Sequence, residues 1–98
     1  MDGPTTDDER FERIPLTAWE RLCTALERAS TGRFERGDEA VRIQTGAANL
    51  RITREGVVDA GMPLHGFSTA GVEHVDVDAE RGELRFEVGE TTYRFRQP

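Results

Sequence analysis

Between Leu16 and Gly32 the hydrophobic residues recur at helical spacing, with charged residues between them. This pattern is typical of an amphipathic helix. Thr17 followed by Glu20 forms a capping box that predicts where the helix begins, and Gly32 predicts where it ends. Because no other segment shows this period, we expect the apolar stripe to pack in the protein's own core and not on a partner. The stripe consists of Trp19, Leu22, Cys23, Leu26 and Ala29.

After Gly37 the hydrophobic period changes to two, and β-branched and aromatic residues become frequent. Alternation of this kind predicts five to six short antiparallel strands. Residues 46–47 and 89–90 each begin with glycine and suit two-residue hairpin turns, and 54–56 suits a three-residue turn that ends in glycine. The segment 61–71 contains a proline and is interpreted as a connection or a weak edge strand. The positions that define the strands are Val41, Ile43, Leu50, Ile52, Val57, Val58, Val75, Val77, Leu84, Phe86, Val88, Tyr93 and Phe95.

These elements predict an α+β fold in which the N-terminal helix packs on a curved antiparallel sheet of two meanders, which approaches a small, partly open barrel. We expect residues 1–13 to form an acidic flexible tail and residues 14–98 to form a single domain. One short helix cannot cover six strands, so the sheet needs further apolar cover. The candidates are closure of the sheet on itself, a second copy of the chain, or the loop residues Met62, Leu64 and Phe67.

The lengths of the turns determine which residues oppose each other across the predicted strands. In the C-terminal hairpin Arg85 opposes Arg94, and the four-residue loop before it places Asp76 opposite Arg85. In the earlier meander Arg42 opposes Arg51. Directly opposed arginines destabilise a sheet by some tenths of a kcal/mol unless an anion or a carboxylate lies between them.

Five arginines are therefore expected on the sheet face that points away from the helix. They form a candidate anion- or partner-binding site, which consists of Arg42, Arg51, Arg85, Arg94 and Arg96. The planar guanidinium group suits phosphate and carboxylate oxygens. We favour the alternative, in which neighbouring carboxylates neutralise the arginines on an ordinary solvated face. These carboxylates are Asp59, Asp76, Glu83 and Glu87.

The charge composition adds a second constraint. The 98 residues carry a net charge of -6, and the basic residues, 13 in number, are all arginine. An acid excess without lysine resembles the composition of proteins from extreme halophiles, in which negative charge maintains hydration in concentrated salt. No apolar run reaches the roughly 20 residues of a bilayer span, and residues 1–13 lack the apolar region of a signal peptide, so we expect a cytoplasmic protein.

The familiar chemical motifs are missing from the sequence. The single cysteine, Cys23, excludes an intramolecular disulfide, and together with His65 and His74 it has no zinc-ligand spacing. A chain without lysine has no phosphate-binding P-loop. Ser68 and His65 are more simply explained as loop residues than as a nucleophile and its base. We therefore expect no catalytic residues, no metal and no cofactor.

We expect a small non-catalytic protein-interaction module, which associates with itself or forms a subunit of a larger assembly, because the predicted helix leaves apolar surface uncovered. The alternative is an anion- or nucleic-acid-binding domain that uses the arginine-rich face. Nucleic acid is the less favoured ligand, and no membrane partner is expected.

Overall fold

The fold consists of one helix and two antiparallel sheets. A computed structural model describes residues 11–46, 48–61 and 66–97. The elements are β1 (Glu12–Pro15), α1 (Trp19–Ala29), β2 (Arg33–Arg36), β3 (Ala40–Thr45), β4 (Ala48–Thr53), β5 (Val58–Gly61), β6 (Gly66–Thr69), β7 (His74–Asp78), β8 (Glu83–Val88) and β9 (Thr91–Arg96).

The strands are divided between a four-stranded sheet with the order β1-β7-β8-β9 and a five-stranded sheet with the order β2-β3-β4-β5-β6. The apolar faces of both sheets and of α1 contribute to one hydrophobic core, whose largest buried side chains include Leu22, Ile43 and Phe86. We call the face of each sheet opposite this core its outer face. The predicted α+β fold with an N-terminal helix is confirmed, and the strands curve without closing into a barrel over the described residues.

The second sheet supplies much of the apolar cover that the sequence analysis found lacking. Residues of β3 and β4 such as Ile43 and Leu50 are buried in the same core as Phe86 of β8 and Leu26 of α1. A second copy of the chain is therefore not needed to bury these strands. Of the three loop residues considered for this role, Met62 and Leu64 lie outside the described residues.

Two strands, β1 and β2, were missing from the sequence prediction, and β6 falls in the segment interpreted as a connection or a weak edge strand. Each of the three has four residues and lies at an edge of its sheet. An edge strand of this length buries few side chains, so it carries no clear alternation; in β2 only Phe34 is even half-buried. Residues 1–10 of the predicted tail lie outside the described residues, but Glu12 and Arg13 belong to β1 and pair with Val77 and Asp76. Residues 66–69 confirm the prediction of an edge strand within 61–71.

The two predicted helix-end signals are wrong. The helix begins at Trp19 with Ala18 as its N-cap and without a side-chain cap, because the chain enters from β1 through a turn in which the Ala18 N–H bonds to the Pro15 carbonyl. It ends at Ala29, so Gly32 lies beyond it. Gly32 serves instead at a close approach to β3, where a Cβ atom would overlap a backbone carbonyl.

The predicted turns and registers agree with the structure. Thr45 opposes Ala48 and Val88 opposes Thr91, as two-residue connections require. Gly46 and Gly89 have φ values of 57° and 60°, in the left-handed region that favours glycine. No helix of the described residues is long and apolar enough to cross a membrane.

A substitution at Gly89 tests the predicted turn between β8 and β9. We expect Gly89→Ala to lower the free energy of unfolding by about 1–2 kcal/mol, because φ is positive there although a Cβ atom would meet nothing within 4 Å. Gly89→Asn should lose less, because asparagine tolerates the left-handed region. Urea unfolding measures both values. The control is Gly37→Ala, at a glycine without a positive φ, which should stay within about 0.5 kcal/mol of the wild type. Equal losses at both glycines would contradict the assignment.

Candidate functional site

The five arginines predicted as a site do not share one surface. Arg85, Arg94 and Arg96 belong to the four-stranded sheet, whereas Arg42 and Arg51 belong to the five-stranded sheet. Both predicted arginine pairs exist, since Arg85 opposes Arg94 and Arg42 opposes Arg51. The expectation of one continuous arginine face is therefore wrong, because the two meanders form separate sheets around the core instead of a single one.

On the four-stranded sheet, a buried carboxylate binds two arginines. Asp76 is 1% exposed, and its oxygens lie 3.0 Å from Arg13 Nε and 2.9 Å from Arg85 Nε. The Arg85 guanidinium also lies over the ring of Phe11, at 4.4 Å from its centroid. Burial opposes ionisation of Asp76, but the hydrogen bonds and charges of Arg13 and Arg85 outweigh it and lower the pKa of the carboxyl group. Arg85 is thus held in an internal ion-pair network.

The other two predicted site residues of this sheet, Arg94 and Arg96, share one carboxylate. Glu83 is buried, and one of its carboxylate oxygens lies 3.5 Å from Arg94 Nη1 and 3.8 Å from Arg96 Nη2. Neighbouring Glu87 lies 3.8 Å from both Arg13 and His74. The carboxylates that the sequence analysis named as neutralising partners are therefore present on this sheet.

On the five-stranded sheet, one row of side chains crosses all five strands of the outer face. It consists of Glu35, Arg42, Arg51, Asp59 and Ser68, each directly opposite the next. Arg51 Nη1 lies 3.2 Å from an Asp59 carboxylate oxygen. The Ser68 hydroxyl donates a hydrogen bond to the other oxygen of Asp59. We call this set the polar row.

The second cation of the polar row is Arg42. Its cross-strand neighbour on β2 is Glu35, but that carboxylate lies 3.3 Å from Arg33 instead. Asp59 is paired with Arg51 on the far side. Among the described residues no carboxylate lies within 4 Å of the Arg42 guanidinium, and Arg42 is exposed to solvent. The directly opposed pair Arg42 and Arg51 is thus neutralised on one side only.

A shallow depression of about 330 Å³ lies over this pair. The depression is lined by four charged members of the polar row, Glu35, Arg42, Arg51 and Asp59, and by the amide side chains of Gln44 and Asn49. These two amides oppose each other two positions along the same strands from the arginine pair. Asn49 lies over Gly61 of β5, where a Cβ atom would come within 3.2 Å of its amide nitrogen. The depression therefore presents two guanidinium groups, two amides and the carboxylates of Glu35 and Asp59 to solvent.

The two amides were not singled out in the sequence analysis. Gln44 and Asn49 are single polar residues with no motif around them, and nothing in their spacing distinguishes them from other exposed positions. The available signal was the register, because residues two positions from Arg42 and Arg51 on paired strands share their face.

The other reactive groups of the described residues lie away from the depression. Burial raises the pKa of the Cys23 thiol, and among the described residues no three metal-ligating side chains lie together.

The arginine and amide groups of the depression are able to hold an oxyanion, and its lining also includes the carboxylates of Glu35 and Asp59. Guanidinium and amide N–H groups donate hydrogen bonds, and the planar fork of arginine matches two oxygens of a carboxylate or phosphate. No protein-family model, curated protein or solved structure matches this chain. A function for the depression is therefore inferred from its geometry alone.

Proposed function

We propose that the protein is a non-catalytic binding domain that holds a small ligand with a carboxylate or phosphate group on the outer face of its five-stranded sheet. The observation that supports this most is the absence of a carboxylate partner for Arg42 among the described residues, although it lies directly opposite a second arginine. An anion between the two guanidinium groups removes the like-charge repulsion and gains charge-assisted hydrogen bonds.

The amides of Gln44 and Asn49 extend the same donor set. They lie beside the arginine pair on the same face, so oxygens of the ligand that point away from the guanidinium groups find N–H donors there. Bonds of this kind act at contact distance. They survive at a high salt concentration, in which the Debye length is only about 3 Å and longer-range attraction is screened.

The charges around the depression favour a small ligand over a nucleic acid. Glu35 and Asp59 lie on either side of the arginine pair in the polar row, so a polynucleotide running across the strands would meet a carboxylate on each side. The cations of the polar row are two adjacent arginines, Arg42 and Arg51, and they lie between those two carboxylates.

The first experiment is a titration of the ¹⁵N-labelled protein with inorganic phosphate, in which amide shifts are followed by NMR. We expect shifts on β3 and β4, and for Arg42→Gln a dissociation constant at least about tenfold higher, since a hydrogen bond to a charged group contributes about 1.5–3 kcal/mol. The matched control is Arg81→Gln, which removes the same charge from an exposed loop position far along the chain and should bind as the wild type does.

Equal binding by Arg42→Gln and the wild type would overturn the proposal. Shifts that occur equally in both variants, or that are spread over all exposed arginines, would show general ion association and would also count against it. Repeating the titration with acetate tests the carboxylate class. Tight binding of single-stranded DNA with a steep salt dependence would favour the nucleic-acid alternative instead.

The role as a protein-interaction module stays a prediction. Its original argument, uncovered apolar surface, no longer applies, because the apolar faces of the helix and the two sheets bury one another in a single core. A separate feature, the edge strand β9, favours an interaction, and it lies in the other sheet.

A further inference from the structure

The strand β9 (Thr91–Arg96) forms one edge of the four-stranded sheet. Among the described residues it pairs with β8 alone. It has six residues, whereas the other edge strands β1, β2 and β6 have four each. Edge strands expose unpaired N–H and C=O groups, and proteins usually protect them with short length, charged side chains, proline or a bulge, of which β9 has the charged side chains of Arg94 and Arg96. β9 contains no proline, and its register runs without a bulge from Thr91 to Arg96.

The backbone groups that β9 presents to solvent follow from its hairpin. In a two-residue hairpin the flanking residues, here Val88 and Thr91, form a hydrogen-bonded pair, and such pairs alternate with pairs that make no hydrogen bonds to each other. The N–H and C=O groups of Thr92, Arg94 and Arg96 are therefore expected to point away from β8. These three residues also share the outer face of the sheet.

The charge along this edge is positive. The side chains of Arg94 and Arg96 are 47% and 72% exposed, and both reach the same carboxylate, that of buried Glu83. Two guanidinium groups thus share one counterion, with most of their surface open to solvent. Their spacing of two positions matches the side-chain period of an added strand on one face.

We propose that β9 is a docking strand for an extended acidic segment of a partner protein. The segment adds as a fifth strand beside β9 through main-chain hydrogen bonds, and acidic side chains at alternate positions lie next to Arg94 and Arg96. A second copy of this chain fits poorly, because antiparallel pairing of two β9 strands brings the arginines of each copy beside those of the other. The proposal does not depend on the anion site, which belongs to the other sheet.

The other face of β9 defines the rest of the partner segment. Phe95 is buried in the core and Tyr93 is half-buried at its margin. Residues of the added strand that point to this face would extend the margin of the core. The suitable sequence alternates acidic residues with β-branched apolar residues such as valine.

The test uses fluorescence anisotropy with a labelled peptide in which glutamate and valine alternate. A peptide of the same composition with its glutamates grouped together is the control, because it cannot place acids at alternate positions. We expect the alternating peptide to bind and the grouped peptide to bind at least about tenfold more weakly. Amide shifts on β9 should accompany binding.

Two variants separate docking from general attraction. Thr92→Pro removes an outward N–H without removing a bond to β8, so it should abolish binding while the urea unfolding midpoint stays close to that of the wild type. Arg94→Gln leaves Arg96 beside Glu83 and should weaken binding about threefold to fivefold. Arg28→Gln, at an exposed position of α1 that belongs to neither surface, should have no effect.

Equal binding of the two peptides, or full binding by folded Thr92→Pro, would overturn the docking proposal. Amide shifts confined to β3 and β4 would also overturn it and would assign the peptide to the anion site. A peptide-independent dimer with β9 protected from hydrogen exchange would show that a second copy occupies this edge, against the expectation from its charge.

Discussion

Replacing Asp76 by asparagine is expected to lower the free energy of unfolding by about 3 kcal/mol. Asp76 is 1% exposed and accepts hydrogen bonds from Arg13 and Arg85, the second of which is itself only 12% exposed. Asparagine keeps the shape of the side chain but removes its charge. The largely buried Arg85 guanidinium then loses the charge of the Asp76 carboxylate, and this accounts for most of the expected loss.

The matched control for this variant is Asp59→Asn. Asp59 also pairs with a cross-strand arginine, at 3.2 Å, but both partners are about 40% exposed to solvent. Exposed ion pairs contribute about 1 kcal/mol or less, so urea unfolding should show a clearly smaller loss. Similar losses at Asp76 and Asp59 would show that burial does not determine the contribution of these pairs.

The difference in stability between the wild type and Asp76→Asn should depend on pH. The pKa of Asp76 is lower in the folded protein than in the unfolded chain, because the hydrogen bonds and charges of Arg13 and Arg85 exceed the effect of burial. Its stabilising contribution is therefore complete above about pH 4 and declines as the pH falls through the folded-state pKa. The difference in unfolding free energy between wild type and Asp76→Asn should narrow below pH 4. A difference that is constant from pH 7 to pH 2 would contradict this assignment.

Replacing Gln97 by leucine is expected to lower the free energy of unfolding by about 2–3 kcal/mol. Gln97 is 6% exposed, and its amide nitrogen donates to the carbonyl oxygens of Ala29, at 2.8 Å, and Gly82, at 2.9 Å. Its amide oxygen accepts hydrogen bonds from the backbone N–H and the hydroxyl group of Thr31. Leucine of similar size leaves these buried groups unpaired.

This side chain connects three distant parts of the chain. The Ala29 carbonyl belongs to the last turn of α1, where no intrahelical N–H is available to it, and Gly82 lies in the loop before β8. Gln97→Glu tests the direction of the bonds, because a carboxylate cannot donate to the two carbonyl groups, so it should lose at least as much stability as leucine. Gln44→Leu, at an exposed glutamine on β3, should change stability by no more than about 0.5 kcal/mol. Wild-type stability of Gln97→Leu would contradict the role assigned to this amide.

Local patterns in the sequence were sufficient to predict the helix, the central strands and their registers. The apolar period identifies α1, and the alternation in β3, β4, β7, β8 and β9 identifies strands with one apolar face. The length of a turn determines the register, because a two-residue connection allows only one alignment of the two strands that it joins. The pairs Arg42 with Arg51 and Arg85 with Arg94 were therefore predictable from neighbouring residues alone.

The ends of elements and the edge strands were less predictable. A capping box is a local preference of about 1 kcal/mol, and the turn that joins β1 to α1 places Ala18 at the N-cap instead. The strand β1 forms through pairing with β7, some 60 positions along the chain. No local pattern encodes that contact.

The sequence by itself thus determined the α+β class, the order of the helix and the six predicted strands, and which arginines oppose each other. Only the tertiary structure decided that the strands divide into two sheets around one core, and that Arg85 is held in a buried ion pair while Arg42 lacks a described carboxylate partner. The physical reason is range. Hydrophobic period and turn geometry act between neighbours, whereas a counterion depends on which carboxylate the packed strands bring within reach. Asp76 shows this, because it pairs with Arg13, 63 positions away along the chain.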